Sequence, residues 1–209
     1  MAKKKKVVNN LSGNLPGRGG YFIRRVLAFG IDWYLSALLA NIAISLCYGF
    51  FNQGQIEVQY SLDGMTNTQS WILMAVLFLI FLFYYVYVPC RVWVGQTPAQ
   101  RMLQLKVFND DQSDVTFKTM LFRFVIGCLV LEGTFYFFTS TFKTLLITKY
   151  LPLDTGMMDM LLSGPIAILC VISLLLAFRD KKQSRMLHDR ISHTHVEDIY
   201  VAGKIQKAL

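Results

Sequence analysis

Trp71-Ile-Leu-Met-Ala-Val-Leu-Phe-Leu-Ile-Phe-Leu-Phe-Tyr-Tyr-Val-Tyr-Val-Pro-Cys-Arg-Val-Trp93 carries no charge before Arg91. A run of about 20 apolar residues is what a helix needs to cross the hydrocarbon core of a bilayer. Three further apolar runs surround it. Residues 26–51 are interrupted by Asp32 and Asn41, residues 119–142 hold Arg123 near their start and Glu132 in their middle, and residues 158–178 contain Gly164-Pro165, where a kink is expected. Composition agrees with this pattern. Of 209 residues, 54% are hydrophobic and only 16% charged, against roughly 25% charged in soluble domains, which excludes a disordered chain and argues against a soluble monomer. The expected fold class is an all-α membrane protein, a four-transmembrane-helix bundle.

Orientation follows from the basic residues. There are 21 Lys+Arg against 13 Asp+Glu. Residues 3–6 (all Lys), Arg18, Arg24 and Arg25 precede the first run; Arg91, Arg101, Lys106, Lys118 and Arg123 surround the second connection; Arg179, Lys181, Lys182, Arg185, Arg190, Lys204 and Lys207 follow the last run. Only Lys143 and Lys149 fall in the third connection, and the first connection has none. The positive-inside rule then places both termini in the cytoplasm with four spans. The chain divides into a basic cytoplasmic tail (1–20), a transmembrane domain (21–196) and a cytoplasmic tail (197–209). A signal peptide is not expected, because the first apolar run is too long, starts late and carries Asp32. The lysine run beside a span reads as a topology signal that also meets anionic lipid, not as a nucleic-acid patch.

Between the second and third runs, residues 102–108 alternate apolar and polar, Asn109-Asp-Asp-Gln-Ser-Asp114 is turn chemistry, and Val115-Thr-Phe117 resumes extended character. This predicts a small cytoplasmic β-hairpin, to which residues 195–201 offer a third strand.

Four positions or groups could carry chemistry. Asp32 lies where a carboxylate costs several kcal/mol and requires a partner, a proton or water. Arg25, seven residues earlier, shares its face about 10.5 Å down the axis, with Phe29, Ser36 and Ala40 on the same stripe. Asp32 is therefore either half of an internal ion pair that fixes packing or a proton or cation site open to the cytoplasm. Arg24, rotated by 100°, is expected to stay in water. Glu132, followed by Thr134, Thr139, Ser140 and Thr141, suits a monovalent-cation or proton path, or a single buried acid kept protonated. Gly95-Gln96-Thr97-Pro98 supplies a turn, a helix cap and a proline for the first helical position; a plain turn competes there with an anion held at a helix start. His188, His193 and His195 have no zinc-motif spacing, and Cys47, Cys90, Cys128 and Cys170 read as small apolar fillers. No metal, no cofactor and no enzymatic nucleophile–base pair is expected.

Three segments together resemble the RDD family of bacterial membrane proteins, named for one arginine and two aspartates. Tyr21-Phe-Ile-Arg-Arg-Val-Leu-Ala-Phe-Gly-Ile-Asp32 is similar to the family's opening helix, Gly95-Gln96-Thr97-Pro98 to its Gly-Gln-Thr-Pro turn, and Leu187-His-Asp-Arg-Ile-Ser-His-Thr194 to its closing motif. The resemblance assigns the arginine to Arg25 and the aspartates to Asp32 and Asp189. Ala99-Gln100 stand where the family commonly has Gly-Lys. The resemblance implies a multi-spanning protein of the bacterial cytoplasmic membrane, with transport, including antiport, proposed for the family. Two functions are carried forward. One is a small monovalent cation/proton transporter using Asp32 and Glu132. The other is a non-catalytic membrane subunit that scaffolds or regulates a larger complex. Either implies a homo-oligomer or a membrane-protein partner. Arg25 is expected to lie between Asp32 and Asp189 and to reach at least one of them.

Overall fold

The computed structural model describes residues 18–52, 65–131, 155–180 and 184–199. Helix α1 (Arg18–Phe51) has 34 residues, about 50 Å at 1.5 Å per residue, several turns more than a bilayer core requires. Helix α2 (Asn67–Leu82) starts at a capping box in which Thr66 accepts from the Gln69 amide and the Gln69 side chain accepts from the Thr66 amide. It runs on as a π-helical segment, Phe83–Val92, with Pro89 inside it. There follow the short helix α3 (Pro98–Met102), strand β1 (Leu105–Asn109), helix α4 (Phe117–Phe122) with its own π-helical continuation Arg123–Leu131, helix α5 (Thr155–Arg179), the short helix α6 (Leu187–Ile191) and strand β2 (Thr194–Asp198).

Among the described residues the chain is thus mostly helical, with one small antiparallel sheet. Among the described residues, Gly20–Phe51 and Asn67–Val92 are long and apolar enough to cross a membrane, with mean hydropathies of 1.6 and 2.5. Their inner faces pack together through Ala28 and Ala40 of α1 and Leu73, Leu77 and Phe81 of α2. Their outer faces leave Trp33, Tyr34, Leu38, Leu46, Leu79 and Phe83 exposed. A soluble core helix buries most of its surface, so this pattern points to lipid as the outer solvent. Helix α5 is unbroken through Gly164-Pro165. The expected third run is helical from Phe117 to Leu131; its remainder, with Glu132, lies outside the described residues.

The β element differs from the local hairpin expected. β1 pairs antiparallel with β2, Val107 opposite Val196 and Leu105 opposite Asp198, so the segment that was to be an optional third strand is the true partner. The turn forms, with the Gln112 amide bonding the Asn109 carbonyl and Asn109 bonding Ser113, yet only the single bridge Phe108–Asp114 follows it. Two local facts explain this. The other edge of β1 is occupied where the Val107 amide donates to the Gly95 carbonyl at 2.8 Å. Thr116 caps α4 by accepting from the Thr119 amide, so Phe117 enters a helix instead of a strand.

Candidate functional site

Asp189 is fully buried on α6. Its Oδ2 accepts from Arg25 Nη2 at 2.7 Å and from the Met186 amide at 2.9 Å. Its Oδ1 lies 2.6 Å from Arg123 Nη1 and 3.4 Å from His188 Nε2. Arg25 also donates to the Ser184 carbonyl at 2.6 Å, and Arg123 to Thr194 Oγ1 at 2.6 Å. Burial opposes ionisation of Asp189, but Arg123 and Arg25 outweigh it and hold the carboxyl well below the usual carboxylate range. The carboxylate thus joins α1, the π-helical start after α4, and the α6–β2 segment. Tyr21 adds a further tie from α1, its hydroxyl donating to the Val196 carbonyl at 2.7 Å. Gly127 permits the close approach of α6, since a Cβ there would meet His188 Cβ at 2.6 Å.

Asp32 anchors the same face of α1 two turns further along. Its Oδ1 accepts from the Tyr84 hydroxyl at 2.6 Å and from the Ala99 amide at 3.1 Å, and its Oδ2 from the Thr97 hydroxyl. The carboxylate therefore helps cap α3, one helix over from its own. Each residue of the Gly95–Pro98 turn has a separate task. Gly95 adopts φ 76°, and a Cβ there would fall 2.5 Å from the Val107 carbonyl oxygen. Gln96 donates to the Leu105 carbonyl at 2.7 Å. Thr97 caps α3 in a reciprocal box with Gln100 while its hydroxyl serves Asp32. Pro98 fills the first helical position, where a missing amide costs nothing. The turn is fastened to both β1 and Asp32. Between the two carboxylate centres lies a cavity of about 80 Å³ lined by Arg25, Ala28, Asp32, Thr97, Arg123 and His188, among others, with room for a few waters.

Residues 20–193 match the model of the RDD family. The chain belongs to the RDD family. No curated protein and no solved structure matches it. Family membership and the two apolar helices together mark a membrane protein.

In this RDD protein the arginine reaches one of the two aspartates, Asp189, as expected. The Arg25–Asp32 ion pair, one of the two readings of Asp32, does not form: hydroxyls and an amide occupy that carboxylate, and among the described residues no cation pairs with it. Helix geometry gives the reason. Side chains lean toward the helix N-terminus, so Arg25 extends away from Asp32, which lies two turns further along. Ser36 and Ala40 continue the buried stripe, Ser36 within 3.1 Å of the Tyr85 hydroxyl, whereas Phe29 is exposed. Arg24 is not simply solvated; it pairs with Asp198 at the end of β2.

Two residues of the site escaped the sequence. Arg123 reads in the sequence only as a topology signal, although a charged residue inside an apolar run itself demands a partner. Tyr84 gave no signal among the tyrosines at 84, 85 and 87. Among the histidines, His188 lines the cavity, His193 is exposed, and His195 is buried in β2 with Nε2 3.1 Å from Glu197. Among the described residues no group of His, Cys, Asp and Glu is arranged to hold a metal ion. Cys47, Cys90 and Cys170 are free thiols.

Proposed function

We propose that this RDD protein is a four-span protein of the bacterial cytoplasmic membrane, with both termini cytoplasmic, that exchanges protons for a monovalent cation at Asp32. The observation that carries the reading is the cavity. Asp32 is 4% exposed, lines that cavity, and is surrounded by the oxygens of Tyr84 and Thr97 with no cation paired to it among the described residues. Oxygen donors around a carboxylate suit hard monovalent ions and protons alike. Glu132, outside the described residues, is the second carboxylate of the pathway. Four spans enclose a narrow path, so a homo-oligomer is the working unit, resting on anionic lipid at the cytoplasmic face. The reading assigns no covalent chemistry to the chain.

Purified protein in liposomes should alkalinise the lumen when Na⁺ or K⁺ is added outside, since each entering cation sends a proton out. Asp32→Asn and Glu132→Gln should each reduce that flux at unchanged expression. Undiminished flux in the double variant removes both acids from the mechanism. Single cysteines introduced at Gly64 and Thr155 in a cysteine-free background should label from outside intact cells, and those at Leu11 and Ala208 should not; external labelling at Leu11 overturns the four-span topology.

A second reading, a membrane subunit that scaffolds a larger complex, draws on a different observation. The outward faces of α1 and α5 expose Leu38, Ile42, Leu46, Ile168, Val171 and Leu175, surface that another membrane helix could cover. A stoichiometric partner retained through mild-detergent purification, with no ion flux, would favour it.

A further inference from the structure

An open groove of about 890 Å³ runs between α2 and the α4 segment. Its walls are apolar, formed by Phe78 and Leu82 on one side and by Leu121, Val125 and Ile126 on the other. Its mouth is polar, with Lys118, Thr119 and His193. From Lys118 to Ile126 the wall covers about 12 Å of helix at ~1.5 Å per residue, running from the expected cytoplasmic surface toward the bilayer midplane. Among the described residues Lys118 makes no ion pair, whereas Lys106 is held by Asp114 at 2.7 Å. The histidine at the mouth has a carboxylate nearby, with Asp110 Oδ2 3.8 Å from His193 Nδ1. Among the described residues at this mouth, the uncompensated positive charge is therefore at Lys118.

We propose that this groove seats one anionic phospholipid of the cytoplasmic leaflet, its acyl chain against Phe78, Leu82 and Val125 and its headgroup phosphate at Lys118. The proposal rests on the membrane reading above and locates its lipid contact. Lipid chains are as apolar as these walls, so the chain contributes little selectivity. Selection comes from the mouth, where a basic side chain at the membrane surface attracts an anionic headgroup, with the Thr119 hydroxyl beside it. A neutral lipid fills the walls equally well and gains nothing at Lys118.

The test uses the full chain, extracted in mild detergent and offered phosphatidylglycerol and phosphatidylcholine of identical chains at equal concentration, with bound lipid read by native mass spectrometry. Wild type should retain phosphatidylglycerol about fivefold over phosphatidylcholine, the preference one lysine near such a surface supplies. Lys118→Ala should bring the ratio close to one, and Lys106→Ala should leave it unchanged. Val125→Trp, which fills the groove, should lower retention of both lipids. Thermal unfolding checks that each variant is folded. Equal retention of the two lipids by wild type, an unchanged ratio in Lys118→Ala, or a lipid-free dimer blocked by Val125→Trp would overturn the proposal. Recovery of the protein in the soluble fraction without detergent would instead overturn the membrane reading beneath it.

Discussion

Neutralising Asp189 should destabilise this RDD protein more than removing either arginine that contacts it. The carboxylate is fully buried with guanidinium nitrogens at 2.7 and 2.6 Å. Breaking a buried ion pair by deleting one partner costs on the order of 3–5 kcal/mol, because the other charge is left uncompensated. Arg25→Ala leaves Asp189 with Arg123, its own Met186 amide and one lost donor at Ser184, which places the loss near the lower figure, about 3 kcal/mol. Asp189→Asn strands two buried cations at once and should cost about 5 kcal/mol or more. Arg25→Lys should recover only part, since an ammonium cannot span the Asp189 carboxylate and the Ser184 carbonyl as the planar fork does. Arg24→Ala, which breaks a pair with Asp198 nearer the surface, should cost about 1 kcal/mol or less. Thermal unfolding in one detergent, followed by tryptophan fluorescence, ranks the four variants. An Asp189→Asn midpoint at or above that of Arg25→Ala would refute the shared-carboxylate argument, and equal midpoints for the Arg24 and Arg25 variants would reduce Arg25 to a topology signal.

Two further outcomes follow from the same geometry. Because the folded state holds Asp189 ionised below the usual carboxylate range, its contribution is complete above the unfolded value of about 4 and is lost as pH falls below that toward the folded value; the acid limb of a stability–pH curve should flatten in Asp189→Asn, and an unchanged limb would exclude Asp189 as its source. Thr97→Val removes both the α3 cap and a donor to Asp32 and should cost about 2 kcal/mol, while Thr97→Ser should remain within about 0.5 kcal/mol of wild type; a Thr97→Ser loss as large as that of Thr97→Val, measured by the same unfolding assay, would refute the assignment of the effect to the hydroxyl.

Sequence alone determined what depends on local runs of residues. The apolar length of residues 71–93 specified a helix of membrane-crossing length, and Asn67–Val92 is long and apolar enough to cross. Gly95-Gln96-Thr97-Pro98 specified a turn and a cap, because glycine, threonine and proline each act on their own backbone or within one helical turn. The seven-residue spacing put Arg25 and Asp32 on one buried stripe of α1. Tertiary structure decided everything that joins distant segments. β1 found β2 rather than residues 115–117, since a strand edge is taken by whichever extended segment the helices bring alongside. Arg25 met Asp189, 164 residues away, and Arg123 joined the same carboxylate, a three-way meeting that no spacing along the chain encodes. Asp32 was legible as a buried acid in need of partners; that those partners are Tyr84, Thr97 and the Ala99 amide, rather than a cation, was fixed only when α1, α2 and α3 packed together.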